Sequence, residues 1–477
     1  MQFIFQFDIL LIEKIFCRSV KMRQILPEKL KILAKACPLP LYVVGGSVRD
    51  YLAGLTPSIA DWDICSPMSA DDFSKIARQE GFIIDAVYRN TGTVKLSNGE
   101  LSYEFSSFRS DKYVRGTHVP VEIFFTEDIT LDARRRDFTV NAVYYDIDKD
   151  IYVDPLGGIP AIKEKRLTTV DSAKKVFGED GLRLMRLARQ AAQLGFEPDE
   201  ECLVGATENA ELIKDISPER IFEELVAVLT ADQKCGIVGA PYHGLKVLEA
   251  TGVLGYVLPE LAKGKNLVQR SDYHKYDVLE HSLKATYYAE KLSANYPLRL
   301  AALLHDVGKP LCMLRDGNAY GHPEEGELLA KDILTRLKAP KKVAQLVCEL
   351  VKYHMLDFNC QMKENKLRRF FVEHYALLPD LLLIKQADFS ACKDDVTKAP
   401  TCKKWEYLIN KMQEEKVPFS LKELAVNGRD ILNERIPAPH VATILNTLLL
   451  HCANNPKDNE KRRLLRLAVG FNKTLFE

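Results

Sequence analysis

The stretch LYVVGGSVRDYLAGLTPSIADWDICSP, residues 41–67, contains an apolar strand, a glycine pair, a helix-like segment and two aspartates one residue apart. Side chains at positions i and i+2 of a strand point to the same face, so Asp61 and Asp63 are expected to lie side by side. Two carboxylates at that separation repel each other unless a positive charge lies between them. The pair therefore predicts a cation site, and the alternative is a solvated pair on an edge strand.

The glycine pair supports the cation site. Gly45 and Gly46 follow a strand and precede a helix that carries Ser47 and Arg49. Glycines let a polyphosphate approach the backbone closely, and the amides at a helix N-terminus favour an anion. A glycine pair alone is usually only a tight turn, but here the two aspartates follow it. Two carboxylates on one strand face suit a pair of Mg²⁺ ions that bridge an attacking hydroxyl and a triphosphate.

The composition limits the class of protein. A chain of 477 residues is too long for one core, so two to four domains are expected. The 66 basic and 66 acidic residues balance, so a nucleic-acid partner would have to bind a local basic face. The 11 cysteines are scattered, odd in number and form no C-x-x-C pair. This pattern predicts reduced thiols in the cytoplasm, and it argues against a disulfide framework or a zinc ribbon.

The first residues resemble a signal peptide only superficially. Asp8, Glu13 and Lys14 interrupt the apolar run, and no cleavage site follows it. We expect a short amphipathic helix, or an extension upstream of a start at Met22. No later stretch is long and apolar enough to span a membrane, so the sequence predicts a soluble protein without a membrane partner.

The periodicity of apolar residues changes along the chain. Short strands with turn signals recur up to about residue 150, ending with VEIFF and TVNAVYYDI, and they predict a mixed sheet. From Ser172 the periodicity is helical, with turn-rich breaks near 314–326 and 395–402. The predicted fold class is therefore α+β and multidomain, with a mixed-sheet head followed by helices.

Further charged residues fall near the predicted cation site in sequence. Glu104 lies on another strand and offers a third carboxylate, with Arg109 soon after it. The segment LDARRRDFTVNA follows, and it adds two arginines, an aspartate and an asparagine: Arg135, Arg136, Asp137 and Asn141. Consecutive arginines are often a solvated charge run, but arginine is also suited to a bidentate grip on phosphate.

A later helix carries a row of charges on one face. In FGEDGLRLMRLARQ the spacing places an aspartate and three arginines together: Asp180, Arg183, Arg186 and Arg189. By base rate such a row is a set of salt bridges on an exposed helix.

The motifs GGSVRD, DWD, RRDFTVNA, GEDGLRLMRLAR and SPERIFEEL, taken in order, resemble those of the class II tRNA nucleotidyltransferases, the CCA-adding enzymes, and the related bacterial poly(A) polymerases. The resemblance implies a polymerase-beta-like nucleotidyltransferase head and an all-α neck. It implies that the aspartate pair holds catalytic Mg²⁺ and that Asp180 and Arg183 read the edge of the incoming base. CTP, ATP and tRNA are the implied partners. In this family the segment RSDKYVRGTHVPVE is a flexible loop needed for A addition, and its presence argues against a C-only enzyme.

A second group of metal ligands lies in residues 274–388. His281, the pair His305-Asp306 and Asp388 offer imidazole and carboxylate ligands on predicted helices, and His322 and His354 could complete a second position. With Val-Gly-Lys after the His-Asp pair, the segment resembles an HD phosphohydrolase domain. The resemblance implies a divalent transition metal of unspecified identity. His274 and Asp277 lie nearby and are not expected to be ligands, and a purely structural metal is the alternative.

The predicted division has six parts: an N-terminal extension (1–23), the head (24–155), the neck (156–230), a helical linker or RNA-binding body (231–265), the HD domain (266–395) and a helical tail (396–477). Three other functions stay open at this stage. They are an A-adding enzyme or poly(A) polymerase, a regulator that modifies another protein, and an HD hydrolase with an inactive head. The sequence does not predict the oligomeric state.

Overall fold

The computed structural model describes residues 21–55, 61–114, 120–269 and 274–476. The chain divides into two compact units, residues 1–259 and 260–477, and each is described by itself. Within the described ranges, every helix is too short or too polar to cross a lipid bilayer. None of the ten described cysteines forms a disulfide.

The first unit is built on a seven-stranded mixed sheet with the strand order β3-β4-β5-β2-β1-β8-β9. Only β2 and β5 pair in parallel, and the other neighbours are antiparallel. The seven strands are β1 (Tyr42–Val44), β2 (Asp61–Ser66), β3 (Ile83–Tyr88), β4 (Thr93–Ser97), β5 (Ser102–Ser107), β8 (Tyr144–Asp146) and β9 (Ile151–Val153). Two small pairs lie apart from it, the ribbon β6 (Arg109–Lys112) with β7 (Glu122–Phe125), and β10 (Arg166–Leu167) with β11 (Glu197–Pro198).

Alternation within the central strands decides which face of the sheet carries polar groups. In β2, Trp62 and Ile64 are buried while Asp63 between them is exposed. In β5, Tyr103 and Phe105 are buried, and Phe105 stacks on Phe73 of the covering helix with ring centroids 3.8 Å apart. A strand sends alternate side chains to opposite faces, so burying one face leaves the carboxylates on the other.

Two of the predicted strands differ in detail. The segment TVNAVYYDI begins with a 3-10 turn, Thr139–Asn141, and only Tyr144–Asp146 is a strand. The turn is held by Asn141, whose amide nitrogen donates to the carboxylate of Asp137. VEIFF is a strand as predicted, but it pairs with β6 in the separate ribbon and not with the main sheet.

The helices of the first unit surround the sheet and build the neck. The central one, α8, buries most of its residues, polar ones included, against its neighbours. The helices are α1 (Met22–Ile25), α2 (Glu28–Ala36), α3 (Gly46–Leu52), α4 (Ala70–Gln79), α5 (Ile129–Arg134), α6 (Gly158–Lys163), α7 (Ala173–Glu179), α8 (Leu182–Leu194), α9 (Glu200–Asn209), α10 (Pro218–Leu229), α11 (Ala231–Cys235), α12 (Ala240–Ala250) and α13 (Leu254–Val257), followed by α14 (Pro259–Ala262) at the division between the units.

Helices make up the second unit in the residues that the structure describes. They are α15 (Val278–Leu292), α16 (Tyr296–Leu304), α17 (Lys309–Asp316), α18 (His322–Arg336), α19 (Lys341–Tyr353), α20 (Glu364–Glu373), α21 (Leu378–Lys393), α22 (Pro400–Glu414), α23 (Gly428–Asn433), α24 (Val441–Asn454) and α25 (Lys461–Phe476). The break predicted at 314–326 is shorter, because α18 already begins at His322. Trp405 of α22 packs on Phe371 of α20, so helices on both sides of residue 395 share a core.

Candidate nucleotide and metal sites

A cavity of about 650 Å³ in the first unit collects residues from every motif of the head and neck. Most of the predicted nucleotide and metal residues line it: Gly45, Gly46, Arg49, Asp63, Glu104, Arg135, Arg136, Asp137, Asn141, Asp180, Arg183, Arg186 and Arg189. Ser47 is buried in α3 and does not line the cavity. Asp61 begins β2, and its side chain lies outside the described part of the chain. The cavity therefore joins the head to the neck.

Two carboxylates lie at the sheet end of this cavity. Asp63 and Glu104 are paired in register on the parallel strands β2 and β5, which puts both on the same face of the sheet. Gly45 faces them with φ of 78° and ψ of −140°, and a Cβ built on it would lie 3.1 Å from Asp63 Oδ2. A side chain at position 45 would therefore fill the space beside the carboxylate. Oxygen donors around a cradle of this kind suit Mg²⁺.

A hydrogen-bonded chain connects the glycine helix to the neck. The Arg49 guanidinium donates from Nη1 to Asn141 Oδ1 (2.7 Å) and to Gln190 Oε1 (2.8 Å). Asn141 donates to Asp137 Oδ1 at 2.8 Å, and Arg186 Nη2 lies 2.6 Å from Asp137 Oδ2. Burial opposes ionisation of Asp137, but Arg186 and these hydrogen bonds hold its pKa below the usual value. These residues thus position one another across three motifs.

Asp132 is a buried residue of the arginine motif that the sequence interpretation missed. Its two oxygens accept from Arg135 Nε (2.8 Å) and Arg136 Nη2 (3.2 Å), and from the Tyr144 hydroxyl at 2.7 Å. Burial opposes the charge, but the two arginines and the tyrosine lower the pKa of Asp132 to about 2. The i+3 and i+4 spacing within LDARRR is the signal that could have revealed it. Asp132 holds two of the three arginines at the cavity wall.

The neck contributes the Asp-Arg pair that was singled out by resemblance. Both side chains are buried, and Arg183 Nε lies 4.0 Å from Asp180 Oδ2. The other guanidinium nitrogens of Arg183 donate to the backbone oxygens of Val176 (3.0 Å) and Arg135 (2.8 Å). These bonds fix the plane of the guanidinium, and both Arg183 and Asp180 line the cavity.

Several lining residues were not predicted as nucleotide ligands. Gln190 and Gln193 continue the arginine face of α8 one turn further, a spacing that was visible in the sequence. The others come from other segments: Arg109, Asp111, Tyr113, Pro120, Arg220 and Lys234. Among the described residues the lining holds nine basic and five acidic side chains, a balance that suits a triphosphate accompanied by cations.

The second unit brings all six predicted HD residues together. Asp306 lies at their centre, with Oδ2 3.4 Å from His281 Nε2 and 3.3 Å from His305 Nε2. Its Oδ1 lies 3.2 Å from His322 Nε2 and 3.6 Å from His354 Nε2. Asp388 Oδ1 completes the first set, 3.0 Å from His281 Nε2 and 3.5 Å from His305 Nε2. The carboxylate of Asp306 thus faces two separate groups of imidazoles.

The hydrogen bonds of these imidazoles fit a cation site. His305, His322 and His354 contact backbone oxygens through Nδ1, at 2.7, 2.8 and 2.6 Å, so in the neutral form of each ring the proton belongs on Nδ1 and the Nε2 lone pairs converge. Burial opposes a charge on His305, but Asp306 and Asp388 raise its pKa to about 10, so a cation at its Nε2 would have to replace a proton. Asp306 Oδ2 is buried, and Lys309 Nζ lies 2.6 Å from it in addition to the imidazoles. Burial lowers the pKa of His354 to about 4, which keeps this imidazole neutral. Convergent imidazole nitrogens around a buried carboxylate fit divalent metal ions.

The position of Gly308, in the Val-Gly-Lys that follows the His-Asp pair, has no room for a side chain. A Cβ there would lie 2.2 Å from the backbone oxygen of His322 and 2.8 Å from the nitrogen of Gly326. Only glycine allows the turn after Asp306 to approach α18 this closely. Asp277, which was not predicted as a ligand, caps α15 by accepting a hydrogen bond from the backbone nitrogen of Glu280.

Three family models match the chain. They are described as "Poly A polymerase head domain" (residues 41–168), "Probable RNA and SrmB- binding site of polymerase A" (195–265) and "HD domain" (278–388). The A-adding tRNA nucleotidyltransferase of Deinococcus radiodurans is 31% identical over 436 residues, which cover 86% of this chain and 92% of that protein. The chain belongs to the tRNA nucleotidyltransferase family. This confirms the family that the ordered motifs indicated.

Another relative and a solved structure extend the comparison of this nucleotidyltransferase. The CC-adding tRNA nucleotidyltransferase of Thermus thermophilus is 31% identical over 83% of this chain and 85% of its own. The crystal structure of the Bacillus stearothermophilus CCA-adding enzyme in complex with CTP has a TM-score of 0.66 and 24% identity, and covers 95% of this chain and 99% of that one. The fold class predicted from the sequence, a mixed-sheet head with helical parts and an HD domain, is thereby confirmed.

Proposed function

We propose that this nucleotidyltransferase adds CMP and AMP to the 3′ end of tRNA, using CTP and ATP and no nucleic-acid template. The observation that carries the proposal is the single cavity that joins the carboxylates of β2 and β5 to the Asp-Arg pair of the neck. A template-independent polymerase needs carboxylates that hold metal ions and, in the same cavity, polar side chains that can hydrogen-bond to the edge of a base.

The reaction forms a bond between the 3′ hydroxyl oxygen of the RNA and the α-phosphorus of the nucleotide, and pyrophosphate leaves. Asp61 and Asp63, together with Glu104, which pairs in register with Asp63, are the residues that would hold Mg²⁺. When bound, Mg²⁺ supplies positive charge to the reacting phosphate and lowers the pKa of the attacking hydroxyl. The basic side chains of the lining, Arg135 and Arg136 among them, neutralise the triphosphate.

Base selection falls to Asp180 and Arg183. A carboxylate accepts a hydrogen bond from an exocyclic amino group, and a guanidinium donates to a ring nitrogen or a carbonyl oxygen. Cytosine and adenine present an amino donor beside an acceptor, whereas uracil and guanine present a carbonyl at that place. The backbone bonds that hold Arg183 in plane keep this edge in position without a template.

The relatives differ in which nucleotides their names assign to them, one adding A and the other CC. We infer that this chain adds A, and not C alone, because Asp111 and Tyr113, from the segment 109–122, line the nucleotide cavity. This segment does not separate A-only from complete CCA addition, so the transcripts described below have to make that distinction. The A-adding enzyme and the poly(A) polymerase remain the alternatives within this class. The cytoplasm, where thiols stay reduced, is the proposed location. The described cysteines are all free thiols.

The test is incubation of the purified chain with tRNA transcripts that end before CCA, after CC, or after CCA, followed by sequencing of the products. We expect CCA on the first transcript, A on the second and no extension of the third. If the first transcript received only CC, or if the second transcript received A while the first was not extended, complete CCA addition would be contradicted. Long A tails on all three would identify a poly(A) polymerase.

Asp63→Asn is the matched catalytic variant, with Asp85→Asn as its control. The substitution removes one charge from the cation site, so we expect incorporation to fall by at least about a hundredfold while the fold is retained. Asp85 lies on β3 at the far edge of the same sheet, and Asp85→Asn should leave incorporation unchanged. Near-normal incorporation by Asp63→Asn would remove the basis of the proposed active site.

We further propose that the HD residues form a metal-dependent phosphoesterase, favoured by the convergence of four imidazoles on Asp306. His281, His305, Asp306 and Asp388 would hold one divalent transition ion, and His322 and His354 with Asp306 a second. Imidazole donors favour a transition metal over Mg²⁺. Such an ion supplies a nucleophilic hydroxide near neutral pH.

Hydrolysis of p-nitrophenyl phosphate and of a 2′,3′-cyclic nucleotide, measured across several divalent metals, tests this second activity. We expect metal-dependent hydrolysis that His305→Ala/Asp306→Ala abolishes. No hydrolysis under any metal, together with a large fall in melting temperature for the variant, would identify the metal as structural.

A further inference from the structure

A cysteine and a histidine that no predicted role uses lie beside the HD residues. Cys392 follows Asp388 by one turn of α21, so the two side chains share a face of that helix. Cys392 Sγ lies 3.3 Å from His274 Nδ1 and 3.7 Å from Asp388 Oδ1. His274 also packs edge-to-face on His281, with ring centroids 4.9 Å apart. The sulfur donor therefore has an imidazole nitrogen and a carboxylate oxygen as neighbours.

The separations match the edges of a metal tetrahedron. With metal–ligand bonds of about 2.0–2.3 Å, two ligand atoms of a tetrahedral zinc site are roughly 3.3–3.8 Å apart. The distances from Cys392 Sγ to His274 Nδ1 and Asp388 Oδ1 both fall in this interval. One ligand atom each of His274, His281 and Cys392 can be chosen so that all three lie within 4.8 Å of one another.

His281 provides an independent indication. Its Nδ1 is fully buried and has no hydrogen-bond partner in the described residues. The Nδ1 atoms of the other three imidazoles contact backbone oxygens. The tautomer of His281 is therefore not imposed by the backbone, and either of its nitrogens is available to a cation.

The residues that directly follow His274 are held by hydrogen bonds to the end of α21. Asp394, two residues after Cys392, accepts a hydrogen bond from the Tyr276 hydroxyl at 2.7 Å and from Lys275 Nζ at 3.1 Å. The Tyr288 hydroxyl of α15 donates to the same carboxylate at 3.1 Å. This clamp ties the segment that carries His274 to the end of α21. The two ligands are thus held in place before any ion arrives.

We propose that His274, Cys392 and the carboxylate of Asp388 form an additional cation position, adjoining the HD site, that takes a thiophilic transition ion such as Zn²⁺ or Co²⁺. Binding releases the proton of the Cys392 thiol to solvent and forms a metal–sulfur bond. The Cys392 side chain is half-buried. Asp388 is also a proposed ligand of the HD phosphoesterase, so this inference rests in part on that proposal. The additional cation position has a spectroscopic signature of its own, which allows the two to be tested separately.

The experiment is a Co²⁺ titration of the metal-stripped full-length chain under reducing conditions with Mg²⁺ held constant. We expect the near-ultraviolet absorption of a thiolate–cobalt bond in the wild type and its complete loss in Cys392→Ser. His274→Gln should weaken it strongly. Cys348→Ser is the matched control, because Cys348 is half-buried in α19 of the same unit, and it should keep the absorption. Metal analysis should show one ion fewer in Cys392→Ser than in the wild type.

The outcomes separate the two proposals. Visible cobalt bands and hydrolysis without the thiolate absorption would leave the phosphoesterase standing and reduce the Cys392–His274 contact to an S–H···N hydrogen bond. Thiolate absorption without hydrolysis would support the additional position and contradict the phosphoesterase. Thiolate absorption that persists in Cys392→Ser would also overturn the inference, since another cysteine would then be the ligand.

Discussion

At the scale of single residues, the cavity of the first unit depends on where a side chain is absent as well as on where one is present. Gly45 has a backbone conformation that side chains rarely adopt, and its missing Cβ leaves room for the Asp63 carboxylate. Gly46, the next residue, has only Arg49 Nη2 at 3.5 Å from a built Cβ, an ordinary contact. The two glycines of the motif therefore have different requirements.

Gly45→Ala should reduce nucleotide incorporation strongly, about tenfold or more, because about 1–3 kcal/mol of backbone strain and a displaced carboxylate both act on the reacting groups. Gly46→Ala is the matched control and should keep most of the activity. Single-turnover incorporation and melting temperature are the measurements. Equal effects of the two alanines would show that the conformation of Gly45 is not what matters.

Asp180→Asn tests base choice at the same scale. The asparagine oxygen can still accept from the Leu182 backbone nitrogen, as Asp180 Oδ1 does at 2.9 Å. Its amide now offers a donor where a carboxylate accepted, so UTP or GTP should gain relative to CTP or ATP. A contact of this kind carries about 1–3 kcal/mol, which corresponds to a ten- to hundredfold change in relative rate. Lys174→Ala, at an exposed position, is the control and should leave selectivity unchanged. Unchanged selectivity in Asp180→Asn would contradict the protein-template hypothesis.

At the scale of elements, helix α5 keeps the arginines of the cavity wall in place through one buried carboxylate. Asp132 bonds Arg135, Arg136 and Tyr144 together and has no exposed surface. The pKa of Asp132, about 2, lies below its ordinary value of 3.8, so its charged form stabilises the folded state. That contribution is complete above pH about 4 and is lost as the pH falls through about 2.

Asp132→Asn should lower the free energy of unfolding of the first unit by about 2–4 kcal/mol at pH 7, because it removes the charge that pairs with two arginines. The difference from the wild type should shrink as the pH falls below about 4. Asp128→Asn is the matched control, since Asp128 caps the same helix and asparagine caps equally well. A difference that does not vary with pH would show that the lost charge is not the cause.

At the scale of the whole molecule, the residues of the two proposed sites belong to different units. Every described residue that lines the nucleotide cavity precedes residue 260, and all six HD residues follow it. Each unit also contains one of the chain's two tryptophans, Trp62 in β2 and Trp405 in α22, and both are buried. Single-tryptophan variants therefore report on each unit by itself.

In Trp62→Phe, which keeps Trp405, Ni²⁺ at a hundred times its dissociation constant should raise the free energy of unfolding by about 2.7 kcal/mol, because the ion binds only the folded HD site. In Trp405→Phe, which keeps Trp62, the same addition should have no effect while Mg²⁺ is constant. Urea unfolding followed by fluorescence measures both. The stabilisation should vanish in Trp62→Phe/His305→Ala, and equal shifts of both tryptophans would contradict separate sites.

The sequence by itself determined what depends on short-range geometry. Side chains two apart share a strand face, and side chains three or four apart share a helix face, so the Asp61-Asp63 pair and the arginine row of α8 could be predicted before any fold was known. The HD residues were predicted together because their ordered spacing resembles a known domain. The mixed sheet of the head and the change to helices after it followed from the same periodicities.

Only the tertiary structure decided which distant segments meet. Glu104 lies opposite Asp63 because β2 and β5 pair in parallel in that register, a pairing that strand patterns do not specify. Arg49 reaches Asn141 across 92 residues, and Cys392 reaches His274 across 118. Such contacts arise from packing of the whole core, and a cysteine or an arginine has the same local pattern wherever its partner lies. For that reason the network behind the cavity and the sulfur beside the HD site became visible only in the folded chain.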